Sequence, residues 1–555
     1  MAQRKLLMSI KSLWKPTAIL VWLNFLFCMT GFRFDNDTWY LLALGRGIDA
    51  NGGWPPWADP IIMRQDYHVV IQQWLYALGL WKAYVLTGPW GIYIISAIIT
   101  LTALFVLYQV SLLASDGNRF PAALVTGTAG TFFFSIFFRI RPQVVSALFL
   151  IMALYLLESY ARHRVKGKWL CLLIPLSIIF INLHGALWPM LLVIILPYIA
   201  ESMAPNLSFT LPVRTFPAKP LLLVFIAVAF AGLLNPYGQD LPLYSLRAQT
   251  IGGGFHSMIQ EMRPINFTIS KAYIMLPFIS FLFFQFSRHK APLRYILLSL
   301  GTGYMAFLAM RSMNQFLLLG TFPIAFFLKD VTFSSFCGWC NRHLHVKTVV
   351  VDCLMILVFT LYGTNLYKLE TIHSIPASTL LSGFLLFALC IASLKPHFSR
   401  KLLTLLSIFF ISSASACIPM GASPYFDPYP ELNPPSLSAI QYFDKYVYND
   451  EMPKETIPLY TSFNTAPQAQ FEGYRPFMDT RPEIHAKMMT KGTDDWIEFC
   501  NLQTLRTSPA DFLDSHHIRY VLVDSVDTLY YLMEREPTWK QIYEDQGIRI
   551  FERMN

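Results

Sequence analysis

The sequence predicts a polytopic α-helical membrane protein with a small α/β domain at its C-terminal end. Three observations lead there. Hydrophobic residues fill 54% of the 555 positions and charged residues only 14%, with a mean hydropathy of +0.43, whereas a water-soluble chain of this length carries far more charge. The apolar residues gather into about thirteen runs of membrane-spanning length, at roughly 20 residues per bilayer crossing. From residue 435 onward the pattern changes to short β-rich runs alternating with amphipathic segments.

The apolar runs fall near residues 16–32, 89–113, 120–138, 143–160, 169–184, 186–201, 219–235, 271–287, 292–310, 313–329, 348–367, 375–394 and 402–420. The two that meet at His184-Gly185 also admit a tight re-entrant hairpin. The basic start, MAQRKLLMSIKSLWK, precedes the first run without a small-residue cleavage site after it, so it reads as a retained helix rather than a signal peptide. With the N-terminus cytoplasmic, alternate loops should be basic. They are: Arg162, Arg164, Lys166 and Lys168; Arg288, Lys290 and Arg294; Arg342 and Lys347; Lys395, Arg400 and Lys401. An odd number of spans in the plasma membrane then places the chain after residue 420 on the extracytoplasmic side.

The formal charge of +9 does not indicate nucleic acid, because the cations fall in short clusters between apolar runs instead of along one face. Of the eight cysteines, Cys28, Cys171, Cys353, Cys390 and Cys417 lie in or beside apolar spans, so no disulfide framework is indicated.

Residues 1–420 therefore form the transmembrane domain. Its first outer loop, 33–88, begins polar and ends in VVIQQWLYALGLWKAYVL, which reads as a helix lying along the membrane surface. Residues 421–434, rich in Pro and Tyr, form a linker. The domain at 435–555 carries four β-rich runs (IPLYTSF, YRPFMDT, IRYVLVDS and IRIFER) and a helix starting at Ser508-Pro509 with cap and first-turn residues in preferred places.

Projecting this topology onto the polar residues collects them on the outer face. Asp35 and Asp37 follow the first span; Arg139, Arg141 and Gln143 sit at the outer junction of the third and fourth. His184 caps the next outer hairpin, Asn235, Tyr237 and Glu261 occupy the loop after the seventh span, and Arg311 with Asn314 the one after that. Outer-face arginines in a chain that otherwise follows the positive-inside rule suit an anion such as a lipid phosphate, which a guanidinium fork holds in a way Lys does not. Two carboxylates as close as Asp35 and Asp37 do not both ionise freely, so one could serve as a base toward a sugar hydroxyl. Blander readings compete at each position: Asp35 or Asp37 as N-cap of the helix TWYLLALGRGI, Arg139 and Arg141 snorkelling to headgroups, and His184 hydrogen-bonded within a helix hairpin. Asn235-Pro236-Tyr237-Gly238 reads first as a turn, Glu261 and Arg311 as an outer ion pair, and Asp479 with Arg481 as an internal ion pair. Cys337, Cys340, His343 and His345 are too irregularly spaced for a zinc site, and no metal ligand is assigned.

With these motifs in view, the chain resembles the bacterial branch of the GT-C superfamily, polytopic glycosyltransferases that use polyprenyl-phosphate sugars, and within it an uncharacterised subset with an extracytoplasmic C-terminal domain. The resemblance rests on DNDTWYLLALGRGI, ADP at 58–60, QQWLYAL at 72–78, Arg141-Pro142-Gln143, Asn182-Leu183-His184-Gly185, Leu234-Asn235-Pro236-Tyr237-Gly238, Glu261 and Arg311-Ser312-Met313-Asn314. In the tail it rests on FMDTRPEIHA and IRYVLVD. It implies a first-loop acid, Asp35 or Asp37, as catalytic base, a polyprenyl-phosphate-linked sugar as donor, and a glycan, lipid or protein as acceptor. Where that subset carries His and Glu, this chain has Leu41 and Gln72-Gln73. No cofactor is required by the motifs, and a divalent metal stays an open alternative. The rival classes are a lipid or glycan transporter or flippase, which expects repeated halves and midplane charges, and a non-catalytic envelope assembly factor.

Overall fold

The computed structural model describes residues 34–130, 140–204, 207, 210–211, 216–244, 247, 262–265, 275–332, 335, 435–448, 452–486 and 494–554. The predicted spans at 16–32, 348–367, 375–394 and 402–420, the linker, Arg139, Glu261 and the cluster of Cys337, Cys340, His343 and His345 lie outside them.

The longer helices of the apolar part are α1 (Asn36–Ala50), α2 (Trp74–Ala114), α3 (Pro142–Ala161), α4 (Leu173–Leu183), α5 (Pro189–Met203), α6 (Ala218–Ala231), α7 (Met275–Arg288) and α8 (Leu293–Leu308). Of these, α2 and α3 are long and apolar enough to cross a membrane, and they cover the expected spans at 89–113 and 143–160. Helices α4 to α8 fall on the next expected spans; a 3-10 segment, Gly167–Leu172, leads into α4, so that helical residues run from Gly167 to Leu183, and α5, α6 and α8 have 14 to 16 residues, about 21–24 Å at 1.5 Å per residue. The span expected at 313–329 is interrupted: Met313–Gln315 opens into a wide π-type turn at Phe316–Gly320, and the helix restarts at Pro323–Phe327. Hydropathy counts apolar residues and does not register such a break.

Helix α2 bends where Gly88 adopts φ 66, ψ −170 ahead of Pro89, a backbone that a residue with a Cβ rarely takes. The leg before the bend is the segment expected to lie on the membrane surface. The leg after it exposes Ile94, Ile95, Ile98 and Phe105, a face suited to lipid.

The helices have two distinct polar ends. At one, Trp74 Nε1 donates to Asn182 Oδ1 (3.0 Å), Asn182 Nδ2 donates to Leu234 O (2.9 Å), and Ser146 Oγ meets His184 Nδ1 (2.7 Å). The starts of α2 and α3, the end of α4 and the chain after α6 thus converge. At the other, Arg162 Nη2 donates to Ala114 O (3.2 Å), and Arg294 pairs with both Glu158 (2.9 Å) and Glu201. The 20 residues of α3 separate the two ends by about 30 Å. Arg162 and Arg294, read above as loop cations, are corrected here: Arg294 is only 3% exposed, and Glu158 accepts from Arg162 Nε at 2.6 Å. Buried cations need buried anions, and two glutamates from other helices supply them.

The C-terminal part comprises α9 (Pro435–Tyr446), β1 (Leu459–Thr461), α10 (Ala466–Glu472), α11 (Asp495–Gln503), α12 (Pro509–Ser515), β2 (Tyr520–Asp524), β3 (Trp539–Asp545) and β4 (Ile548–Arg553). The sheet order is β1-β2-β4-β3, with β1 and β2 parallel (Leu459 opposite Tyr520) and the other pairs antiparallel. Ser508 caps α12 by accepting from the Asp511 amide (3.1 Å), as its sequence predicts. Two strand expectations change. YRPFMDT forms no strand and runs as a loop to the domain's inner face, while β3, polar and on the sheet edge, gave no apolar run to find.

This domain packs directly on the first outer loop. Arg64 Nη1 contacts Asp495 Oδ1 (2.8 Å), Arg46 Nη2 donates to Gln470 O (3.1 Å), Arg475 Nε to Pro60 O (2.9 Å), and the Met63 amide to Pro476 O (3.1 Å). Met63 and Met262 from the helical part pack against the domain's own apolar core.

Candidate active site

The first-loop acids stand at the start of α1. Asp35 is extended (φ −89, ψ 175) and N-caps the helix, its Oδ1 accepting from the Thr38 amide (3.0 Å) and from Thr38 Oγ1 (2.8 Å). Asp37 lies in the first turn, where a negative charge meets the positive end of the helix dipole. Arg141, itself the extended residue before α3 with Pro142 at the first helical position, reaches across to both. Its Nε donates to Asp35 Oδ2 (2.7 Å) and its Nη1 lies 2.9 Å from Asp37 Oδ2. The guanidinium of Arg141, 106 residues from Asp35 in sequence, thus bridges two carboxylates, and it compensates their mutual repulsion. All three side chains are about one-fifth to one-quarter exposed: 23% for Arg141, 19% for Asp35 and 26% for Asp37.

Tyr40 follows Asp37 by one turn. Its hydroxyl accepts from Gln73 Nε2, and burial, then the charge of Asp37, push its phenol well above the usual range. Tyr40, Gln73, Thr38 and Ser146 were not singled out as site residues from the sequence. Gln72-Gln73 stood in the quoted motif, but a neutral amide carries no signal of its own.

His184 is buried and held by Ser146, as the hairpin reading expects, and it feels the charge of Arg311. Arg311 is exposed and makes no hydrogen bond or ion pair with another described residue. The segment Met262–Ile265, just after Glu261, runs beside it: the Met310 amide donates to Arg263 O (2.9 Å) and the Ile265 amide to Phe307 O (3.3 Å). Gln143 Oε1, Asn314 Oδ1 and Gln72 Oε1 are buried oxygens with no hydrogen-bond partner among the described residues.

Asn235 is built into a turn. Its Nδ2 donates to Gly232 O (2.7 Å) and Gly238 O (2.9 Å), and its Oδ1 accepts from the Tyr237 amide (2.8 Å). That occupies the side chain with local backbone, as the turn reading of Asn235-Pro236-Tyr237-Gly238 anticipates. Tyr237 stacks near His68, ring centroids 5.7 Å apart. No three His, Cys, Asp or Glu side chains gather as a metal site among the described residues.

The fold has known structural counterparts. The chain is similar to ArnT from Cupriavidus metallidurans bound to undecaprenyl phosphate, with 12% identity over 97% of both chains and a TM-score of 0.54. The same protein in its apo state aligns with 11% identity, 97% coverage of both chains and a TM-score of 0.53. The chain shares the fold of that protein, α-helical with a small sheet in its C-terminal part. The oligosaccharyltransferase of Archaeoglobus fulgidus, tethered with an acceptor peptide containing the NVT sequon, aligns with 12% identity over 93% of this chain and 70% of its own, with a TM-score of 0.48. No protein-family model and no curated protein matches the sequence.

Proposed function

We propose that this chain is a membrane glycosyltransferase that moves a sugar from a polyprenyl-phosphate carrier to an extracytoplasmic glycan, lipid or protein acceptor, with inversion at the anomeric carbon. The observation that carries the proposal is the bridge from Arg141 to Asp35 and Asp37, which joins an acid pair and a cation from distant segments at one end of the helices. The fold shared with ArnT, whose structure contains undecaprenyl phosphate, supports a carrier of that class.

In this reading the acceptor hydroxyl attacks the anomeric carbon and a carboxylate takes its proton. The bond from that carbon to the phosphate oxygen breaks, and the electron pair leaves on the lipid phosphate. Asp37 is the base. Asp35 caps α1 through Oδ1 and meets Arg141 through Oδ2, whereas Asp37 meets Arg141 through Oδ2 and is not the capping residue. Arg141 orients the acids, which shifts the phosphate to Arg311, exposed and close to His184. Charge stabilisation of a leaving oxyanion by such a donor is a large catalytic contribution. The carrier's prenyl tail gains about 0.8 kcal/mol per buried CH₂, so the apolar faces of the helices serve for its affinity. The acid end faces the extracytoplasmic side, and the end with Glu158 and Arg294 faces the cytoplasm.

The test incubates purified full-length protein in vesicles with a radiolabelled polyprenyl-phosphate sugar and acceptor-containing membranes, and follows label leaving the lipid phase. Asp37→Asn should lower transfer by about 10²–10⁴-fold, the usual worth of a positioned general base. Full activity in both Asp35→Asn and Asp37→Asn removes the acid pair from the chemistry. Label that crosses the bilayer still attached to its carrier would favour a flippase instead.

A further inference from the structure

One of the contacts between the C-terminal domain and the acid site is made by a buried cation. Arg481, 7% exposed, sits between two carboxylates from different parts of the chain. Its Nη1 donates to Asp59 Oδ2 of the first outer loop (2.6 Å) and its Nε to Asp479 Oδ2 of its own domain (3.0 Å). Both acids are fully buried. The rest of the cluster is tied in as well: Asp59 Oδ1 accepts from the Ile61 amide (3.1 Å), His485 Nε2 lies 3.3 Å from Asp479 Oδ1, and Gln470 Nε2 donates to both Asp479 Oδ2 (2.9 Å) and Ile61 O (3.0 Å). The sequence reading of Asp479 and Arg481 as a pair within the domain is thereby extended. The pair is also a clamp on the outer loop.

The guanidinium of Arg481 lies over the ring of Tyr40, 5.3 Å from its centroid. Tyr40 is one helical turn beyond Asp37, and Gln73 fixes its hydroxyl. A second interdomain ion pair, Arg64 with Asp495 (2.8 Å), lies on the same loop but places its guanidinium over Tyr67 instead. Among the described residues two ion-pair clamps join the same two parts, and of these two Arg481 is the one that bears on the turn holding the acids, where Asn36 also donates to Asn464 Oδ1 (3.4 Å) and Trp39 packs on Phe471 (centroids 4.8 Å).

We infer that Arg481 is a positioning residue for the acid pair: through Tyr40 it fixes the first turn of α1, so that the C-terminal domain sets the place of Asp37 against Arg141. Docking alone is shared by both clamps. The positioning role belongs to Arg481.

The inference rests on the proposed transferase reading, and the experiment separates the two. Full-length wild type, Arg481→Met, Arg481→Lys and Arg64→Met are assayed for transfer from the labelled carrier, with thermal unfolding measured on each. Expected is a fall in kcat of at least about tenfold for Arg481→Met, with the donor KM within about twofold of wild type, since a misplaced base slows chemistry without removing donor contacts. Arg481→Lys, which keeps a cation between the acids but not the fork or the stack over Tyr40, should fold and show a smaller loss of the same kind. Arg64→Met should lower the unfolding temperature and leave kcat unchanged. If Arg64 and Arg481 variants lose activity in the same proportion to their lost stability, or if the Arg481 variants raise KM at constant kcat, the positioning role is overturned. A wild type that transfers no label sinks the transferase reading instead.

Discussion

The amide of Gly185 donates to the carbonyl of Gln72 at 2.8 Å, pinning the hairpin after α4 to the first outer loop. A Cβ at residue 185 would come within 2.4 Å of Leu241 Cδ1, 2.8 Å of Leu241 Cγ and 3.3 Å of the Gln72 carbonyl oxygen. Leu241 can swing partly aside; the Gln72 backbone cannot do so without disturbing Gln73 beside it. Gly185→Ala is therefore expected to cost about 1–3 kcal/mol, the usual range for overpacking, read as a lower unfolding temperature. Gly185→Ala combined with Leu241→Ala should recover part of the loss in the hairpin contact, and a single variant as stable as wild type would show that the approach is not tight.

Asp35 serves two purposes that substitution can separate. Asn is as good an N-cap as Asp, whereas Ala lacks the acceptor and typically costs about 1 kcal/mol. Asp35→Asn keeps the bond to the Thr38 amide but loses the charge facing Arg141. It should unfold close to wild type and retain more transfer activity than Asp37→Asn, while Asp35→Ala should be measurably less stable than Asp35→Asn. Equal activity losses for Asp35→Asn and Asp37→Asn would withdraw the assignment of Asp37 over Asp35.

The spacing of the apolar runs was legible in the sequence. Asp37 and Arg141 were placed at one end by counting spans, and they meet at 2.9 Å; the bounds 143–160 and 89–113 likewise fall on α3 and on the second leg of α2. Long-range pairing was not legible. Nothing local to Arg294 announces that Glu158 and Glu201 will neutralise it, since those partners stand 136 and 93 residues away. Nor does anything near Arg481 point to Asp59, 422 residues earlier. The run at 313–329 continues through a wide turn and a restart that leave the composition unchanged, so its interruption was not legible. The cap at Ser508 was read correctly because its signal lies within four residues.

Glu158 is the hub of the opposite end. It accepts from Arg162 Nε (2.6 Å), Arg294 Nε (2.9 Å), Tyr295 OH (2.6 Å) and Tyr198 OH (3.1 Å), and it is fully buried. Glu158→Gln leaves the buried Arg294 with Glu201 alone and the partly exposed Arg162 with Asp116, and should cost up to about 3–5 kcal/mol, the range for breaking a buried pair from one side. Because α3 holds this cluster about 30 Å from Arg141, the protein that still folds should keep the donor KM of the proposed transfer. Expression level and thermal unfolding in detergent measure the first effect, and a changed KM in the folded fraction would show that the two ends are coupled.

The interface between the C-terminal domain and the outer loop should respond to pH in two opposite ways. Burial pushes the Asp479 carboxyl up, but Arg481 and His485 outweigh it and hold the group well below the usual carboxylate range. A depressed folded-state pKa gives stabilisation that is complete above the unfolded value of about 3.9 and lost as pH falls through the folded one. Glu472 has the reverse sign: burial, then the charge of Asp444, raise it. The folded state holds that proton more tightly, so stability falls as pH climbs from about 4.3 through the raised value. The unfolding temperature of the full-length protein should therefore decline from mildly acid toward neutral pH, and Glu472→Gln should flatten that decline while leaving the strongly acid loss in place. Asp479→Asn should lower stability at neutral pH and reduce the strongly acid loss. An unchanged slope between pH 5 and 7 in Glu472→Gln, on a scale of about one pH unit per 1.36 kcal/mol of differential interaction, would remove Glu472 as its source.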